Sequence, residues 1–366
     1  MLGGGQLGRM SAMAASRLGY FTHIFDPQSG GPAAMVSGEE INASFQDKKA
    51  IEKFAERVDV VTLEFENIPV QTLRWIEDHR SVCPRSQALE ICQHREREKL
   101  FLRSKGFPHA EFRVVTTARQ LATATEELGF PSILKSAEFG YDGKGQIKLH
   151  KRDDLKKAWK EFGFPRGVVE AFVDFEAELS VITARTASDE CLSFPVAENI
   201  HTHHILEFSI VPARFEKKVI QKAVQLGQAI TRELEVVGLL AVEMFLRKDG
   251  KIVVNELAPR PHNSGHYTLD ACVTSQFEQH IRTVCGLPLG SVEQVKPVVM
   301  YNILGDAWSH GDPHWDRLLE LPNLKLHLYQ KHHAKPGRKM GHVNCLGSTL
   351  KDALTLAEKA KDILHD

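Results

Sequence analysis

The chain has 366 residues, of which 42% are hydrophobic and 25% are charged, and its formal net charge at pH 7 is −1. This length suits two or three domains, and the near-neutral charge argues against a nucleic-acid partner or a polybasic membrane-binding role. No apolar run approaches the roughly 20 residues that span a bilayer, and no signal peptide is recognisable, so we expect a cytoplasmic protein. The six cysteines lack metal-binding spacing, and we expect them to be reduced.

Strand and helix patterns alternate up to about residue 95. The segments SAMAASRLG, AIEKFAERV and VQTLRWIEDH have helical patterns, and FTHIFD, DVVTLEF and SVCP have strand patterns. This alternation predicts a parallel, doubly wound, Rossmann-like sheet. The following segment, ICQHREREKLFLRSKG, is expected to form one charged helix that ends at Gly106.

Beyond this point the pattern changes to α+β. A small unit from EFRVV to VVEAFV is interrupted by the glycine-rich FGYDGKG, and longer strands, two strong helices and the closing helix LKDALTLAEKAKDIL follow. We therefore predict domains at 1–95, at 96–173 and at 174–366. The last is expected to contain a mainly antiparallel sheet and to end in a small β-rich segment from about 295 to 366.

The opening MLGGGQLGRM matches the dinucleotide fingerprint G-x-G-x-x-G through Gly3, Gly5 and Gly8, and Asp26 follows near the spacing of an acid that binds an NAD ribose. An NAD-dependent oxidoreductase is therefore one interpretation. The strand that should precede the loop is reduced to Met1-Leu2, so either the true start of the protein lies upstream or the sheet has lost part of its first strand. Backbone N–H groups at the helix N-terminus suit the anionic end of another ligand equally well.

The segment LLAVEMFLRKDGKIVVNELAPR predicts a β-hairpin with a two-residue turn at Asp249-Gly250. Lys248 would then pair with Lys251, and Glu243 would lie opposite Glu256. Two facing carboxylates destabilise a strand pair unless a cation lies between them. Mg²⁺ typically takes one or two protein carboxylates together with water and phosphate oxygens, so we predict a magnesium site, with Asn255 beside it as a further oxygen donor. A solvated hairpin is the alternative.

The segment SILKSAEFGYDGKGQIKL places Lys135 on a strand before Gly140, Gly143 and Gly145. Glycines allow backbone N–H groups to approach anionic oxygens, and the lysine supplies a charge for a phosphate. An ordinary hairpin is the alternative. In the next strands, Glu170 and Glu178 are either ligands for ribose hydroxyls or charges at a sheet edge.

Other polar segments follow the predicted metal acids. Arg260 lies directly after them and suits the stabilisation of charge in phosphoryl transfer. The histidines of NIHTHH, His201, His203 and His204, lack the spacing and partners of a zinc site. The basic turn LYQKHHAKPGRKMGH predicts either a second anion site or a solvated charged turn.

The motifs GGGQLGRM, LEFENIP, FGYDGKGQ, NELAPRPHNSGH and PGRKMGH together cover nearly the whole chain. In this order they resemble the ATP-grasp superfamily, and more narrowly the PurK-type 5-(carboxyamino)imidazole ribonucleotide synthases of purine biosynthesis. The resemblance implies an ATP-grasp fold with a Rossmann-like pre-ATP-grasp domain, a small lid and a larger C-terminal domain. It also implies a homodimeric ligase that uses ATP and Mg²⁺, with two ions as an option and Mn²⁺ as a substitute.

The implied reaction joins ATP, bicarbonate and aminoimidazole ribonucleotide. ATP phosphorylates bicarbonate to carboxyphosphate, and the carboxyl group passes to the exocyclic amine of the ribonucleotide. A sister ligase that acts on another purine intermediate, such as glycinamide ribonucleotide, and a non-catalytic nucleotide-binding protein are the remaining alternatives.

The resemblance also implies site residues. ATP would bind Arg95, Lys135, Gly140, Tyr141, Asp142, Gly143, Lys144, Gly145, Gln146, Glu170, Ala171, Phe172, Val173, Glu178, His201, Asn255 and Glu256. The ribonucleotide would contact Gln6, Glu64, Tyr141, Asp142, Lys144 and His262, with its phosphate on Lys331 and Arg338. Glu243 and Glu256 would bind the metal. Arg260, Asp142 and Lys144 would be catalytic, with Arg260 steadying carboxyphosphate and Asp142 accepting the amine proton.

Overall fold

The computed structural model of the chain describes residues 1–138, 145–151 and 153–366. In its first part, helices alternate with short parallel strands. The helices are α1 (Gln6–Arg17), α2 (Lys48–Glu56), α3 (Val70–Glu77), α4 (Ser86–Cys92) and α5 (Arg95–Ser104), with a 3₁₀ turn at Ala34–Val36. The strands are β1 (His23–Phe25), β2 (Glu39–Ile41), β3 (Val60–Thr62) and β4 (Ser81–Cys83). Strand β1 pairs in parallel with β2, and β3 with β4, which confirms the predicted parallel, Rossmann-like arrangement.

Leu2 takes the place of a central strand between these two pairs. It forms parallel bridges to Phe25 and to Leu63, and its N–H donates to the Thr62 carbonyl at 2.8 Å. The Leu2 side chain is fully buried among the apolar residues of this domain. The backbone of Leu2 therefore joins the two strand pairs.

The segment predicted as one charged helix contains the last two residues of α4 and the whole of α5, so the prediction of one continuous helix is wrong. His94 is extended between α4 and α5. The Gln93 side-chain amide donates to the Glu66 carbonyl, and the Arg95 N–H donates to the Ala137 carbonyl at 2.9 Å. These contacts with two other segments override the helical propensity of the sequence, since propensity is a weak preference that tertiary context commonly outweighs.

A small α+β unit follows. Its helices are α6 (Ala118–Leu128) and α7 (Leu155–Phe162), and its strands are β5 (Phe112–Val115), β6 (Ser132–Ser136), β7 (Gln146–Leu149) and β8 (Gly167–Ala171). The strands pair antiparallel in the order β5-β8-β6-β7. The helices pack on one face of this sheet around Leu121, Leu134, Phe162 and Val169.

The remaining strands form a large antiparallel sheet, nine-stranded among the described residues, in the order β14-β13-β9-β11-β12-β15-β17-β16 with β10 beside β9. The strands are β9 (Phe175–Arg185), β10 (Cys191–Ser193), β11 (Ala197–Thr202), β12 (Ile205–Val211), β13 (Gly238–Arg247), β14 (Ile252–Ala258), β15 (Val298–Leu304), β16 (Leu324–Leu328) and β17 (Lys339–Leu346). The helices are α8 (Lys217–Glu233), α9 (Thr268–Ala271), α10 (Gln276–Val284), α11 (Trp315–Leu319) and α12 (Leu350–His365), with 3₁₀ turns at Asn263–Gly265 and Gly305–Trp308. The predicted antiparallel C-terminal sheet is confirmed.

The closing helix α12 shows why the sequence forms these elements. Thr349 and Asp352 form a capping box at its start, in which each side chain accepts a hydrogen bond from the other residue's N–H. Buried alanines recur along one face, including Ala353, Ala357 and Ala360, and this face packs on β15 and β17.

The N-terminal part packs on the large domain through α1 and α10. Leu7 and Met10 of α1 contact an apolar cluster that includes Phe277, Ile281 and Tyr329. This packing brings the first glycine loop toward the segment after β14. No helix in the described ranges has the length and apolar character needed to cross a bilayer.

Candidate active site

A cleft of about 860 Å³ is lined by the N-terminal domain, the small four-stranded sheet and the large sheet. It brings together most of the residues that the sequence predicts for the site. These are Gln6, Glu64, Arg95, Lys135, Gly145, Gln146, Glu170, Ala171, Phe172, Val173, Glu178, His201, Glu243, Asn255, Glu256, Arg260 and His262. The predicted site residues Gly140, Tyr141, Asp142, Gly143 and Lys144 lie outside the described residues.

The β13–β14 hairpin places Glu243 directly opposite Glu256, which confirms that prediction. The predicted turn, however, is wrong. The Arg247 N–H donates to the Lys251 carbonyl at 2.9 Å, so Arg247 and not Lys248 is opposite Lys251. Gly250 has a φ of 74°, as expected for a three-residue loop that ends in a left-handed glycine. The longer turn alone would shift the two acids out of register by one residue.

A β-bulge at Asn255 restores the register. Met244 pairs with Val254 whereas Glu243 pairs with Glu256, so Asn255 is the extra residue on β14. Consecutive residues of a regular strand point to opposite faces, but Asn255 and Glu256 both line the cleft. The Asn255 Oδ1 atom is buried and has no hydrogen-bond partner within the part of the chain that the structure describes.

The electrostatics of the two acids suit a divalent cation. Burial and, next, the charge of Glu256 raise the pKa of Glu243 to about 7. Among residues 1–138, 145–151 and 153–366, no cluster of three or more His, Cys, Asp or Glu side chains is arranged to hold a metal. The protein therefore offers two carboxylates and the Asn255 oxygen, a hard-oxygen set that fits Mg²⁺ when water and phosphate complete its shell.

A group of cations surrounds Glu170 beside these acids. The Glu170 carboxylate lies 2.8 Å from the Lys135 Nζ, 3.8 Å from the Lys99 Nζ and 3.9 Å from the Arg95 Nη1. Arg95 also lies 3.7 Å from Glu256. Burial would raise the pKa of Glu170, but the three cations lower it to about 2. Arg95 and Lys135 line the cleft, and their charged donors suit phosphate oxygens.

At one end, the cleft offers a flat apolar slot next to a hydrogen-bonding acid. Phe175 and Phe245 stack with ring centroids 4.6 Å apart, and Phe172 lines the cleft with them. Glu178 lies 3.1 Å from the His201 Nδ1 atom across the β9–β11 pair. Because the Glu170 carboxylate is held by cations, Glu178 is the better candidate for contact with ribose hydroxyls.

At the other end of the cleft, N–H groups of the first glycine loop donate hydrogen bonds to carboxylates of the same domain. The N–H groups of Gly5 and Gly8 donate to the two oxygens of Glu64 at 2.9 and 3.1 Å, and the Gly4 N–H donates to Asp26 at 2.7 Å. Three N–H groups of this loop are therefore bonded within the protein, and the binding of a ligand anion at this helix N-terminus stays a prediction. Asp26 is engaged with the backbone, which removes the ribose acid from the NAD interpretation.

Arg260 reaches the cleft between these two ends. Its Nη2 atom lies 2.9 Å from the Glu66 carboxylate, and its Nη1 donates to the Pro261 carbonyl at 3.0 Å. His262 lies 3.4 Å from Glu243, and burial, followed by the charge of Arg260, lowers its pKa well below 6.5. Sequence reasoning missed Glu66, although it is the second acid of the LEFEN segment that supplied Glu64.

Two buried charged residues of α5 were also missed. Glu98 accepts a hydrogen bond from the Leu257 N–H at 2.8 Å, and Lys99 donates to the Asn255 carbonyl at 2.8 Å. Both side chains are almost completely buried. Their spacing from Arg95, at i+3 and i+4 on one helix face, is the signal that could have found them.

The basic turn lies close to the cleft, but its two predicted residues do not line the part that the described residues form. The Arg338 Nη1 donates to the His333 carbonyl at 2.9 Å, and the Lys331 Nζ donates to the Lys339 carbonyl at 2.7 Å. Lys339 of the same segment does line the cleft. The assignment of Lys331 and Arg338 to a phosphate stays a prediction.

Three family models match consecutive parts of the chain. The ribonucleotide synthetase preATP-grasp domain matches residues 1–93, the ATP-grasp domain matches 100–277, and the phosphoribosylaminoimidazole carboxylase C-terminal domain matches 298–355. The N5-carboxyaminoimidazole ribonucleotide synthase of Bacillus subtilis is 47% identical over 94% of this chain and 90% of its own length. The Brucella melitensis enzyme of the same name is 44% identical over 94% of both chains.

Solved structures agree with these relatives. The ADP complex of PurK, an N5-carboxyaminoimidazole ribonucleotide synthetase, is 48% identical, has a TM-score of 0.93 and covers 98% of this chain and 95% of its own. The Aspergillus clavatus synthase in complex with ADP and 5-aminoimidazole ribonucleotide is 34% identical, has a TM-score of 0.92 and covers 99% and 97% of the two chains. The chain therefore belongs to the N5-carboxyaminoimidazole ribonucleotide synthase family of ATP-grasp enzymes.

Proposed function

We propose that this protein is an ATP-dependent ligase that carboxylates the exocyclic amine of 5-aminoimidazole ribonucleotide with bicarbonate. The products are N5-carboxyaminoimidazole ribonucleotide, ADP and phosphate. The observation that carries the proposal is one continuous cleft in which the facing acids Glu243 and Glu256 lie between a slot suited to a nucleotide and the N-terminal residues Gln6 and Glu64. The names of the family's characterised relatives support the choice of substrate.

ATP would lie along the slot with its phosphates toward the acids. The adenine ring would occupy the apolar slot of Phe172, Phe175 and Phe245 beside the backbone of Ala171 and Val173. Glu178 would bind the ribose, with His201 behind it. Arg95 and Lys135, together with Gly145 and Gln146 and the sequence-assigned residues 140–144, would bind the phosphates.

Mg²⁺ would be held by Glu243 and Glu256 with Asn255 as an oxygen donor, and when bound it supplies charge neutralisation for the phosphate oxygens. The Asn255 oxygen, which has no hydrogen-bond partner among the described residues, and the facing carboxylates support this assignment. A second ion and replacement by Mn²⁺ are part of the same proposal.

The chemistry would take place beside Arg260. A bicarbonate oxygen attacks the γ-phosphorus of ATP, the bond between γ-phosphorus and the bridging oxygen breaks, and ADP leaves. The amine nitrogen of the ribonucleotide then attacks the carboxyl carbon of carboxyphosphate, the C–O bond to the phosphoryl group breaks, and inorganic phosphate leaves. We assign Arg260 to the negative charge of carboxyphosphate, Asp142 to the proton released by the amine, and Lys144 to the same step.

The ribonucleotide would occupy the N-terminal end of the cleft. Gln6 begins α1, Glu64 is fixed by the glycine loop, and His262 is neutral beside Glu243. Tyr141 and Asp142 are assigned from the sequence, as are Lys331 and Arg338 for the phosphate. Closing the cleft would exclude water from carboxyphosphate, which hydrolyses readily.

The proposal also includes the domain bounds, the oligomeric state and the cellular location of the protein. We assign domains to 1–95, 96–173 and 174–366, and the matches of three family models in chain order support a multidomain chain. We assign a homodimer, which light scattering tests. The six cysteines are free, which favours a reducing, cytoplasmic location that cell fractionation tests.

ADP release is the direct test of the proposed activity. With Mg-ATP and bicarbonate, the protein should release ADP slowly, and aminoimidazole ribonucleotide should accelerate release and yield a carboxylated product in equal amount. Glycinamide ribonucleotide serves as the matched control, because it is the substrate of the alternative sister ligase. Acceleration by glycinamide ribonucleotide alone, or by neither compound, would reject the proposal.

A further inference from the structure

Strand β14, which carries Glu256, is the outermost strand of the large sheet. The backbone groups on the free side of an edge strand have no neighbouring strand to bond. This strand also contains the bulge at Asn255, which interrupts its pairing with β13. On its outer side, β14 has one isolated bridge, between Val254 and His109, in which the Val254 N–H donates to the Pro108 carbonyl at 2.9 Å. The strand that carries the predicted metal donors therefore has regular pairing on one side only, and that pairing is irregular at the donors themselves.

Two neighbouring side chains of α5 bond the free side of β14 at this point. The Lys99 Nζ donates to the Asn255 carbonyl at 2.8 Å, and the Glu98 Oε2 accepts from the Leu257 N–H at 2.8 Å. These contacts lie immediately before and after Glu256. Glu98 and Lys99, here called the edge clamp, thus take the place of a missing strand on both sides of the metal acid.

The burial of the edge clamp indicates that its polar groups have a role other than packing. Lys99 is 0% exposed and Glu98 is 2% exposed, and removing charged groups from water costs several kcal/mol each before compensation. Two apolar side chains would fill the same volume without that cost. A charged pair is favoured here because it offers both an acceptor and a donor to the edge backbone.

The edge clamp also joins β14 to the phosphate end of the cleft. Lys99 lies 3.8 Å from Glu170 of β8, and Arg95 of the same helix lies 3.9 Å from Glu170 and 3.7 Å from Glu256. One helix therefore fixes the spacing between the predicted phosphate cations and the predicted metal acids.

We propose that Glu98 and Lys99 are positioning residues that hold the Asn255 bulge, so that Asn255 and Glu256 face the metal together. The inference rests on the proposed function. Without the edge clamp, β14 relaxes toward a regular strand, and alternation turns either Asn255 or Glu256 away from the cleft. The metal loses a donor while the nucleotide slot, built on other strands, is unchanged.

The test is metal affinity, measured in the full-length protein with ADP and without bicarbonate or ribonucleotide. Electron paramagnetic resonance reports free Mn²⁺ during the titration. Glu98→Ala and Lys99→Met should weaken Mn²⁺ binding at least tenfold, while the affinity of the Glu98→Ala protein for metal-free ADP should stay within about twofold of the wild-type value. Glu98→Gln keeps an acceptor for the Leu257 N–H and should bind Mn²⁺ nearly as the wild type does. Arg97→Ala is the matched control, because this residue of α5 is exposed and its guanidinium group pairs with Glu90.

Wild-type Mn²⁺ affinity in both Glu98→Ala and Lys99→Met would overturn the inference, and so would equal weakening in Glu98→Gln and Glu98→Ala. If Glu98→Ala does not fold, Lys99→Met against Lys99→Arg tests the same contacts, with Lys99→Arg expected to bind at least fivefold more tightly. The test measures Mn²⁺ affinity and not carboxylation. Its result therefore applies to the edge clamp even if the enzyme acts on a different substrate. Failure of the proposed function therefore remains distinguishable.

Discussion

Arg260 enters the cleft with its guanidinium group already held by a carboxylate. Glu66 binds one terminal nitrogen at 2.9 Å, and the Arg260 Nε is buried without a hydrogen-bond partner in the described part of the chain. The Glu66 carboxylate and the Pro261 carbonyl each fix one terminal nitrogen, and the side chain still lines the cleft. Glu66 therefore orients the arginine that we assign to carboxyphosphate.

Substitutions of Arg260 and of Glu66 should distinguish the stabilisation of charge by the arginine from its orientation by the acid. Arg260→Ala should lower kcat by about 10²–10³-fold, the range found when a donor to a developing oxyanion is removed, and Glu66→Gln by about tenfold. Steady-state kinetics with all three substrates measure both. Arg214→Ala, which removes an exposed arginine paired with Glu198, is the control. An Arg260→Ala enzyme with near-normal kcat would contradict the assigned role.

The pKa of Glu243 predicts how metal binding depends on pH. Since burial and Glu256 raise it to about 7 in the metal-free protein, Mg²⁺ must displace a proton below that pH. The dissociation constant for Mg²⁺ should be nearly constant above pH 7.5 and should rise by up to about tenfold per pH unit below pH 6.5. Calorimetric titration with ADP present measures it, and proton release into two buffers checks the cause. An affinity that is flat from pH 8 to pH 6 would refute this explanation.

At the residue scale, the sequence predicted the facing acids for a reason that was partly wrong. The DG pair correctly signalled a hairpin, but the turn contains one residue more than predicted, and the bulge at Asn255 compensates by one residue. A bulge on an edge strand depends on contacts from Glu98 and Lys99, more than 150 residues upstream of it. Local pattern therefore identified the chemistry, and tertiary contacts determined the geometry.

At the scale of elements, the loop before α1 depends on close approach between a glycine and an acid. A Cβ atom at Gly5 would lie 2.5 Å from a Glu64 oxygen, although the backbone at Gly5 has an ordinary φ of −80°. Alanine is thus permitted by the backbone and excluded only by the carboxylate. The strand–loop–helix element holds Glu64 in place through its N–H groups.

Gly5→Ala should therefore act on the ribonucleotide and not on ATP. Displacement of Glu64 should raise KM for aminoimidazole ribonucleotide by about tenfold, the effect of losing one charged contact of 1.4 kcal/mol, and leave KM for ATP within twofold. Gly38→Ala, whose new Cβ would meet only an ordinary contact at 3.7 Å, is the matched control. Equal changes in the KM values for ATP and for aminoimidazole ribonucleotide would contradict a specific effect of the loop on ribonucleotide binding.

The order of the elements follows from the sequence, but one of the breaks between them does not. The alternation of elements predicted the parallel N-terminal part and the antiparallel C-terminal sheet, because both follow from local periodicity. The break between α4 and α5 at His94 does not follow from local periodicity. It is fixed by hydrogen bonds from Gln93 and Arg95 to segments that are distant in sequence. That break starts α5 at Arg95 and so turns one helix face toward the cleft.

At the scale of the whole molecule, buried histidines lie beneath the contact between the N-terminal part and the large domain. His266 and His342 have ring centroids 4.9 Å apart and are fully buried, and Tyr329 bonds the His342 Nδ1 at 2.9 Å. Burial, more than any other cause, lowers the pKa of both histidines well below 6.5. In the unfolded chain they would titrate near 6.5.

Acid should therefore destabilise the metal-free protein through these histidines. Below pH 6.5 the unfolded chain binds protons that the folded one does not, so each buried histidine removes about 1.4 kcal/mol of unfolding free energy per pH unit. The acids Glu98 and Glu243, with pKa values raised to about 7, act in the opposite direction. A comparison of variants is therefore more informative than the wild-type slope.

Urea unfolding at pH 7, 6 and 5 makes the comparison. His342→Gln should lose less unfolding free energy on acidification than the wild type, by about one proton's contribution. His79→Gln alters an exposed histidine and should follow the wild type. A His342→Gln protein with the wild-type dependence on pH would show that the buried ring does not set acid stability.

If carboxyphosphate forms in the cleft, one oxygen atom of bicarbonate must pass to inorganic phosphate. With [¹⁸O]bicarbonate, ATP, Mg²⁺ and aminoimidazole ribonucleotide, the bond that breaks in the second step lies between carbon and the phosphoryl oxygen. Each inorganic phosphate should therefore carry one ¹⁸O atom, visible as an isotope shift in the ³¹P NMR spectrum, in equal amount to the carboxylated ribonucleotide. Unlabelled phosphate formed together with carboxylated product would contradict the account.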